Sequence, residues 1–584
     1  MKKIQFTLSV LFITLLIGCK SETKKETAAD SVFTNGKVYT VNESQPWAEA
    51  VAVTGNKIVF VGSTADAQAY IGEGTETTDL AGKMMLPGFV DSHNHLIAAD
   101  WIGQGILLYD ATNKEETLKM VKDYADANPD LPVIYGAGWA TPKLGGLPTA
   151  EDLDAIIPDR PVLLIDYTSH EAWMNSATMK DQNITKDTPD AIPGTTYWVR
   201  DDAGNPTGVA IEFQWLQIYL GLGLWQPDTM MKESILKLMG EASSYGTTSV
   251  FGPGLLSPTL TIVDEMLKDY ETAMEVIDQL IKDGKMPLRS FSMPAFKTED
   301  ATPDVFISFT KRMKEKYNSD MHGVTGIKIH PESGIINYGA PLLKPYEGTD
   351  SKGGFGVTPE RTMELVMAAN KEGLDVAIHT EGSASTRAAI DAFEASIKAG
   401  NTNVRNQLHH YMLVHPDDHQ RVIDNKMLVN ATPSFTNTFG NQDKDYEKVL
   451  GKERINEMMG RYPDLAHAGL PVGLGSDYPG TPISMQAPLQ NIQAAVTMTD
   501  PSNPDAVAYP TNRKPMTLEQ AIRSFAIDGA LFMHMEDKIG SIEVGKLADL
   551  VILEKNLFDV DKSEIQNVKI MATILDGKYM NRAD

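Results

Sequence analysis

Leu86-Pro87-Gly88-Phe89-Val90-Asp91-Ser92-His93-Asn94-His95 is the stretch from which the rest of the chain can be read. Its first half is a short apolar run of buried-strand length, and its second half sets two imidazoles two residues apart. On a strand, alternate residues project to the same side, so His93 and His95 can reach one ion. A lone pair of this kind says little, and its weight comes from what recurs downstream.

Counting the run at 88–91, eight short apolar runs stand out; the others are at 247–251, 288–293, 326–329, 374–378, 405–408, 427–429 and 472–475. Helical patterns separate several of them. The clearest covers 358–373: Thr358 offers a cap oxygen, Pro359 sits in the first turn, Met363, Leu365, Val366 and Ala369 fall largely on one face, and Gly373 ends it. Strands alternating with helices predict an α/β fold with a parallel sheet, and eight such strands predict closure into a (β/α)8 TIM barrel. The interval from about 100 to 235 is too long for one crossover and predicts an insertion after strand 1. The apolar run at 215–225 reads there as a buried helix, with a substrate lid as the alternative.

Four later runs carry, at or near their C-terminal end, a group that suits a metal: Lys328 in Ile327-Lys328-Ile329, His379 in Ala377-Ile378-His379-Thr380, His410 in Leu408-His409-His410, and Asp477 in Gly475-Ser476-Asp477. In a barrel, functional groups gather at the C-terminal rim of the strands, so residues far apart in sequence converge. Imidazoles with a carboxylate suit zinc or a similar divalent ion. The predicted metal site is therefore His93, His95, Lys328, His379, His410 and Asp477. For Lys328 the other reading is a lysine salt-bridged to an acid, in which case the site holds a single metal.

The two ends of the chain are rich in strand signals. Ser31-Val32-Phe33-Thr34 and Lys37-Val38-Tyr39-Thr40-Val41 flank the turn pair Asn35-Gly36, and the same character returns in Ala548-Asp549-Leu550-Val551-Ile552-Leu553. Residues 31–88 and 537–584 are expected to build one small β-sandwich domain around a catalytic domain at 89–536. With 584 residues the chain is too long for one ordinary core, which fits this division.

The first 19 residues read as a signal peptide: Lys2 and Lys3 precede an apolar stretch at 6–17 that is too short to span a bilayer. Leu16-Ile17-Gly18-Cys19 resembles a bacterial lipoprotein cleavage site, and Cys19 is the only cysteine present. The expectation is an exported, membrane-anchored lipoprotein facing the periplasm or the cell surface. Lipid on Cys19 would hold it, with 20–30 as a flexible tether. An ordinary secretory signal is the alternative. A formal charge of −26, from 78 acidic against 52 basic residues, repels phosphate backbones and argues against a nucleic-acid partner. Homo-oligomerisation stays open.

Several stretches together carry a family resemblance: Leu86-Pro87-Gly88-Phe89-Val90-Asp91, Ser169-His170-Glu171-Ala172-Trp173-Met174-Asn175-Ser176, Thr207-Gly208-Val209, and Ile539-Gly540-Ser541-Ile542-Glu543-Val544-Gly545-Lys546-Leu547-Ala548-Asp549-Leu550. The chain resembles the amidohydrolase superfamily, and within it the amidohydrolase family 3 subgroup of N-substituted formamide deformylases. The resemblance implies that His93 and His95 hold the more buried ion and His379 and His410 the more exposed one. It also implies that Lys328 is carboxylated and bridges two metals, and that Asp477 binds metal and takes the proton of the attacking water. His410 and Asp477 are the catalytic candidates, together with His170, which reads equally as a substrate contact or a packing residue.

The implied activity is cleavage of a non-peptide C–N bond in a small amide, N-acyl or N-formyl. Two other readings stay open: hydrolysis of a cyclic amide, ester or lactone, and a catalytically inactive ligand-binding lipoprotein. Two departures from the family pattern stand near the expected cavity: His379-Thr380-Glu381-Gly382, and His330-Pro331-Glu332 after Lys328. His330 reads as a substrate contact or a structural residue. His322, His415, His419, His467 and His534 read as ordinary.

Overall fold

The computed structural model describes residues 28–98, 101, 104–167, 170–191, 196–255, 257–259, 262–437, 442–481, 483–503 and 505–583. The signal peptide, Cys19 and residues 20–27 of the tether lie outside the described residues.

Eight parallel strands form the centre: β1 (Phe89–Asp91), β2 (Thr247–Pro253), β3 (Arg289–Met293, resuming as Ala295–Phe296), β4 (His322–Val324, resuming as Gly326–Ile329), β5 (Asp375–His379), β6 (Gln407–His409), β7 (Leu428–Ala431) and β8 (Val472–Leu474). Each pairs in parallel with the next in chain order. The period of two along a strand decides what faces where. Ile327, Ile329, Val376, Ile378 and Leu408 pack with Leu365, Val366, Ile390 and Phe393 of the surrounding helices. Lys328, Ala377, His379, Gln407 and His409 alternate with them and point to the interior side.

No paired ladder joins β1 to β8 among the described residues. Both strands stop early, and three backbone hydrogen bonds link the segments beyond them: Ser92 N–H to the Leu474 carbonyl at 3.2 Å, Asp477 N–H to that of His93 at 2.8 Å, and His95 N–H to that of Tyr478 at 2.9 Å. At Gly475 a Cβ would lie 2.6 Å from the Cβ of His93, so only glycine lets the two segments approach. The arrangement is a mixed α/β fold compatible with a TIM barrel.

The helix expected at 358–373 spans Pro359–Lys371, and Thr358 caps it by accepting the Arg361 N–H at 3.2 Å. Strand β6 begins later than the run at 405–408 suggests, because Arg405 is drawn aside to Glu536 and the Leu531 carbonyl.

Both chain ends enter one six-stranded sheet, in which Met84–Pro87 pairs antiparallel with Leu550–Leu553. A four-stranded sheet from the N-terminal segment shares an apolar cluster with it, including Phe33, Val51 and Val53 against Met85, Leu550 and Ile574. Buried Arg289 ties β3 to the C-terminal segment through Asp549 at 2.7 Å and Asp576 at 2.6 Å.

Between β1 and β2 lies a further six-stranded sheet, from Ile106–Leu107 to Pro206–Ile211. The apolar run at 215–225 contains the helix Leu216–Gly221. Its Leu216, Ile218 and Tyr219 are buried with Trp101, Tyr135 and Trp215, as expected of a core helix.

Candidate metal centre

The ends of β1 and β8 bring His93, His95 and Asp477 together. Nε2 of His93 and Nε2 of His95 stand 3.3 and 3.2 Å from Oδ1 of Asp477. Asp91 holds the two strand ends in this register. Its carboxylate accepts the His93 N–H and the Ser476 N–H, each at 3.1 Å, and the Ser476 hydroxyl at 2.6 Å. Burial nevertheless pushes the Asp91 carboxyl up to about 6. Asp477 itself takes a left-handed backbone, φ 52°, which aspartate tolerates better than most residues and which points its carboxylate at the histidines.

The hydrogen bonds behind the rings fix their tautomers. Nδ1 of His95 lies 2.9 Å from the Gly254 carbonyl, which can only accept, so Nδ1 carries the hydrogen and Nε2 keeps a lone pair. Gly254 sits at φ 121°, and a Cβ there would press on Ala295 at 2.9 Å. Asn430 does the same for His93. Its amide donates to the Ser92 hydroxyl at 2.8 Å, and that hydroxyl donates to the Leu474 carbonyl at 2.9 Å. The Asn430 oxygen is thereby turned to Nδ1 of His93, 3.3 Å away. Two lone pairs and a carboxylate oxygen, all acceptors, therefore face one another with no hydrogen between them. A cation resolves this, and the donor set of two imidazoles and a carboxylate fits a divalent ion.

A second group of donors adjoins the first. Nδ1 of His410 is 3.8 Å from Oδ2 of Asp477, and the His410 ring lies 4.6 Å from that of His93 and 4.3 Å from that of His379. Lys328 Nζ, His379 Nε2 and His410 Nδ1 are buried without a hydrogen-bond partner among the described residues. Burial, reinforced by the neighbouring cationic groups, drives His93, His379 and His410 well below the usual imidazole range and keeps them in the neutral, ligating form. Burial also pulls the Lys328 amine down to about 7, against the opposing pull of Asp477. All six residues of the expected site thus meet in one place.

His170 stands elsewhere, immediately before the inserted strand Glu171–Met174. Its Nδ1 pairs with Glu212 at 2.8 Å, and Glu212 in turn accepts from Asn337 at 3.2 Å, so this pair bridges the insertion to the loop after β4. Burial works to lower the His170 imidazole, but Glu212 outweighs it and raises the group to about 9. Burial likewise opposes ionisation of Glu212, yet His170 holds it at about 2. Burial lowers Lys297 to about 8, while Glu212 and Glu381 pull it up. Glu381, raised to about 7 by burial, is 3.5 Å from His379 and links this charged cluster to the metal centre.

Further residues brace the site. Glu332 is a buried brace, accepting the Glu381 and Gly382 N–H groups at 2.7 and 3.0 Å and the Ser385 hydroxyl at 2.6 Å. His330 stacks on His379 with ring centroids 3.9 Å apart. Asn430 and His409, both against His93, carried no recognisable motif. The remaining histidines stay out of the site. For example, His419 pairs with the Tyr411 hydroxyl at 2.8 Å and His467 with the Pro515 carbonyl at 3.0 Å.

Residues 76–580 match the sequence profile of the amidohydrolase family. The chain belongs to that family. Among relatives, it is 29% identical to Protein LONG AFTER FAR-RED 3 of Arabidopsis thaliana, over 94% of this chain and 91% of the relative. It is 24% identical to the N-substituted formamide deformylase of Arthrobacter pascens, over 94% of this chain and 97% of that one. Among solved structures, an uncharacterized metal-dependent hydrolase from Pyrococcus horikoshii superposes with a TM-score of 0.70 at 22% identity, covering 91% of this chain and 99% of that chain, which establishes a shared fold. Family membership and the His-His-Asp cluster make this amidohydrolase a candidate for metal-dependent hydrolysis.

Proposed function

We propose that this amidohydrolase cleaves the C–N bond of a small N-acyl or N-formyl amide with water. The chemistry sits at the C-terminal rim of a closed (β/α)8 barrel, to which the two chain ends add a small β-sandwich. The observation that carries the proposal is the convergence of His93 Nε2, His95 Nε2 and Asp477 Oδ1 without a hydrogen among them. The formamide deformylase relative supports the choice of substrate class.

His93, His95, His379, His410, Lys328 and Asp477 would hold zinc, as one ion or two. When bound, it supplies Lewis acidity, which brings the pKa of water toward neutrality and polarises a carbonyl. Lys328 would contribute as a carbamate: its neutral amine forms an N–C bond to carbon dioxide and releases one proton, which turns a neutral side chain into an anionic ligand. Asp477 accepts the proton of the attacking water and delivers it to the departing nitrogen, so the water oxygen bonds to the acyl carbon as the C–N bond breaks. His170, kept as an imidazolium by Glu212, contacts polar atoms of the substrate from the insertion. Lipid on Cys19 would keep this chemistry at a membrane surface.

The test is turnover. Chelated and zinc-restored protein is assayed against N-formyl amines, N-acyl amines, N-acyl amino acids, cyclic amides and lactones. Zinc-dependent release of amine from an acyclic amide is expected. Turnover of lactones or cyclic amides alone overturns the substrate class, and turnover indifferent to chelation overturns the mechanism.

A further inference from the structure

Behind His93, on the side away from Asp477, lies a chain of hydrogen bonds that uses none of the proposed ligands except His93. Nδ1 of His93 is 2.8 Å from Nδ1 of His409, Nε2 of His409 is 2.9 Å from Oε1 of Gln407, and Nε2 of Gln407 is 3.3 Å from the carbonyl of Phe532. All three side chains are buried.

The direction of every bond follows from its far end. The Phe532 carbonyl can only accept, so the amide nitrogen of Gln407 faces it and the amide oxygen faces His409. That oxygen also only accepts, so the His409 hydrogen sits on Nε2 and the lone pair on Nδ1. This lone pair then takes the hydrogen of His93 Nδ1, the same hydrogen that Asn430 also accepts. Nε2 of His93 is left bare on the side that faces Asp477.

We propose that the Phe532 carbonyl, Gln407 and His409 form a relay that locks His93 into its Nδ1–H tautomer and so presents Nε2 to the metal. Gln407 and His409 are positioning residues in this account. The inference rests on the metal-site reading above, but its test needs no substrate. Partners of this kind orient a ligand and raise its basicity, and their loss typically weakens metal binding by roughly 10- to 100-fold.

The experiment is competitive chelator titration of zinc affinity in the full-length protein and in Gln407→Met, Gln407→Glu and His409→Phe, with the melting of the metal-free forms as the measure of folding. Gln407→Glu keeps an acceptor facing His409 Nε2 and is expected to bind zinc within about threefold of the parent, while Gln407→Met and His409→Phe lose roughly 10- to 100-fold. Equal affinity in all four proteins overturns the relay, as does an equal loss in Gln407→Glu and Gln407→Met. If Gln407→Met and His409→Phe do not fold, 15N spectra of histidine-labelled, metal-free parent protein decide. Hydrogen on Nδ1 of His93 and Nε2 of His409 is expected, and the reverse pair overturns the proposal. A parent that binds no zinc at all sinks the metal-site reading instead, so the two failures are distinguishable.

Discussion

His93 Nε2 and Asp477 Oδ1 lie 3.3 Å apart although neither has a hydrogen to give the other. The ring is committed to Asn430 and His409 through Nδ1, and a carboxylate oxygen offers only lone pairs. Two such acceptors are held face to face by the backbone bonds between the ends of β1 and β8. A buried contact of this kind is repulsive until a cation enters, and it is the feature on which the functional reading turns.

Asp477→Ala is expected to fold but to lose turnover. Removing a positioned proton acceptor typically costs about 10²- to 10⁴-fold in rate, and the loss of a ligand adds to this. The check is kcat/KM on an amide substrate alongside circular dichroism of the variant.

Gly475→Ala drives a methyl group into the His93 backbone, whose nitrogen and oxygen would both be 2.7 Å from the new Cβ. The segments after β1 and β8 must then separate, carrying Asp477 away from both histidines. Overpacking of this sort costs about 1–3 kcal/mol. Denaturant melting should show that loss together with reduced zinc content, and a variant with unchanged zinc affinity contradicts the account.

Much of this was legible from sequence because each proposed ligand sits at or near the end of an apolar run, where strand periodicity fixes its side. The pair His409-His410 was not separable in that way. Alternation sends neighbours to opposite faces, yet both rings stand 4.6 Å from His93. His410 has φ 72°, a left-handed turn just past the end of β6 that brings its ring back to the site, while His409 remains in the strand. Periodicity carries no information about such a turn. Glu212 was hidden for a different reason: it opens the short turn after the inserted strand Pro206–Ile211 and meets Asn337 across 125 positions of sequence. Charge alone does not mark one glutamate among many as buried.

The His170–Glu212 pair predicts a pH window. His170 is raised from 6.5 to about 9, so its stabilising contribution is whole below 6.5 and is lost as pH rises through about 9. Glu212 is lowered from 4.5 to about 2, so its contribution is whole above 4.5 and is lost as pH falls through about 2. Stability from this pair is therefore complete between pH 4.5 and 6.5. In Glu212→Gln burial and Lys297 lower the His170 imidazole with only Asp166 still raising it, so it should titrate well below its parent value of about 9 by NMR. A titration unchanged in that variant contradicts the pairing.

Glu332→Ala leaves the Glu381 and Gly382 N–H groups and the Ser385 hydroxyl without the carboxylate they share. Unsatisfied buried donors cost about 1–3 kcal/mol. The loop after β5 should loosen first, with faster hydrogen exchange at residues 381–385 and weaker retention of the metal through His379.

Zinc stoichiometry measured by elemental analysis, on the parent and on a triple variant with alanine at positions 93, 95 and 477, reaches the central claim most directly. After chelation, zinc addition and desalting, the account predicts stoichiometric zinc in the parent and none above background in the variant, with both proteins folded. Equal zinc in the two, or a folded parent that retains none, contradicts it.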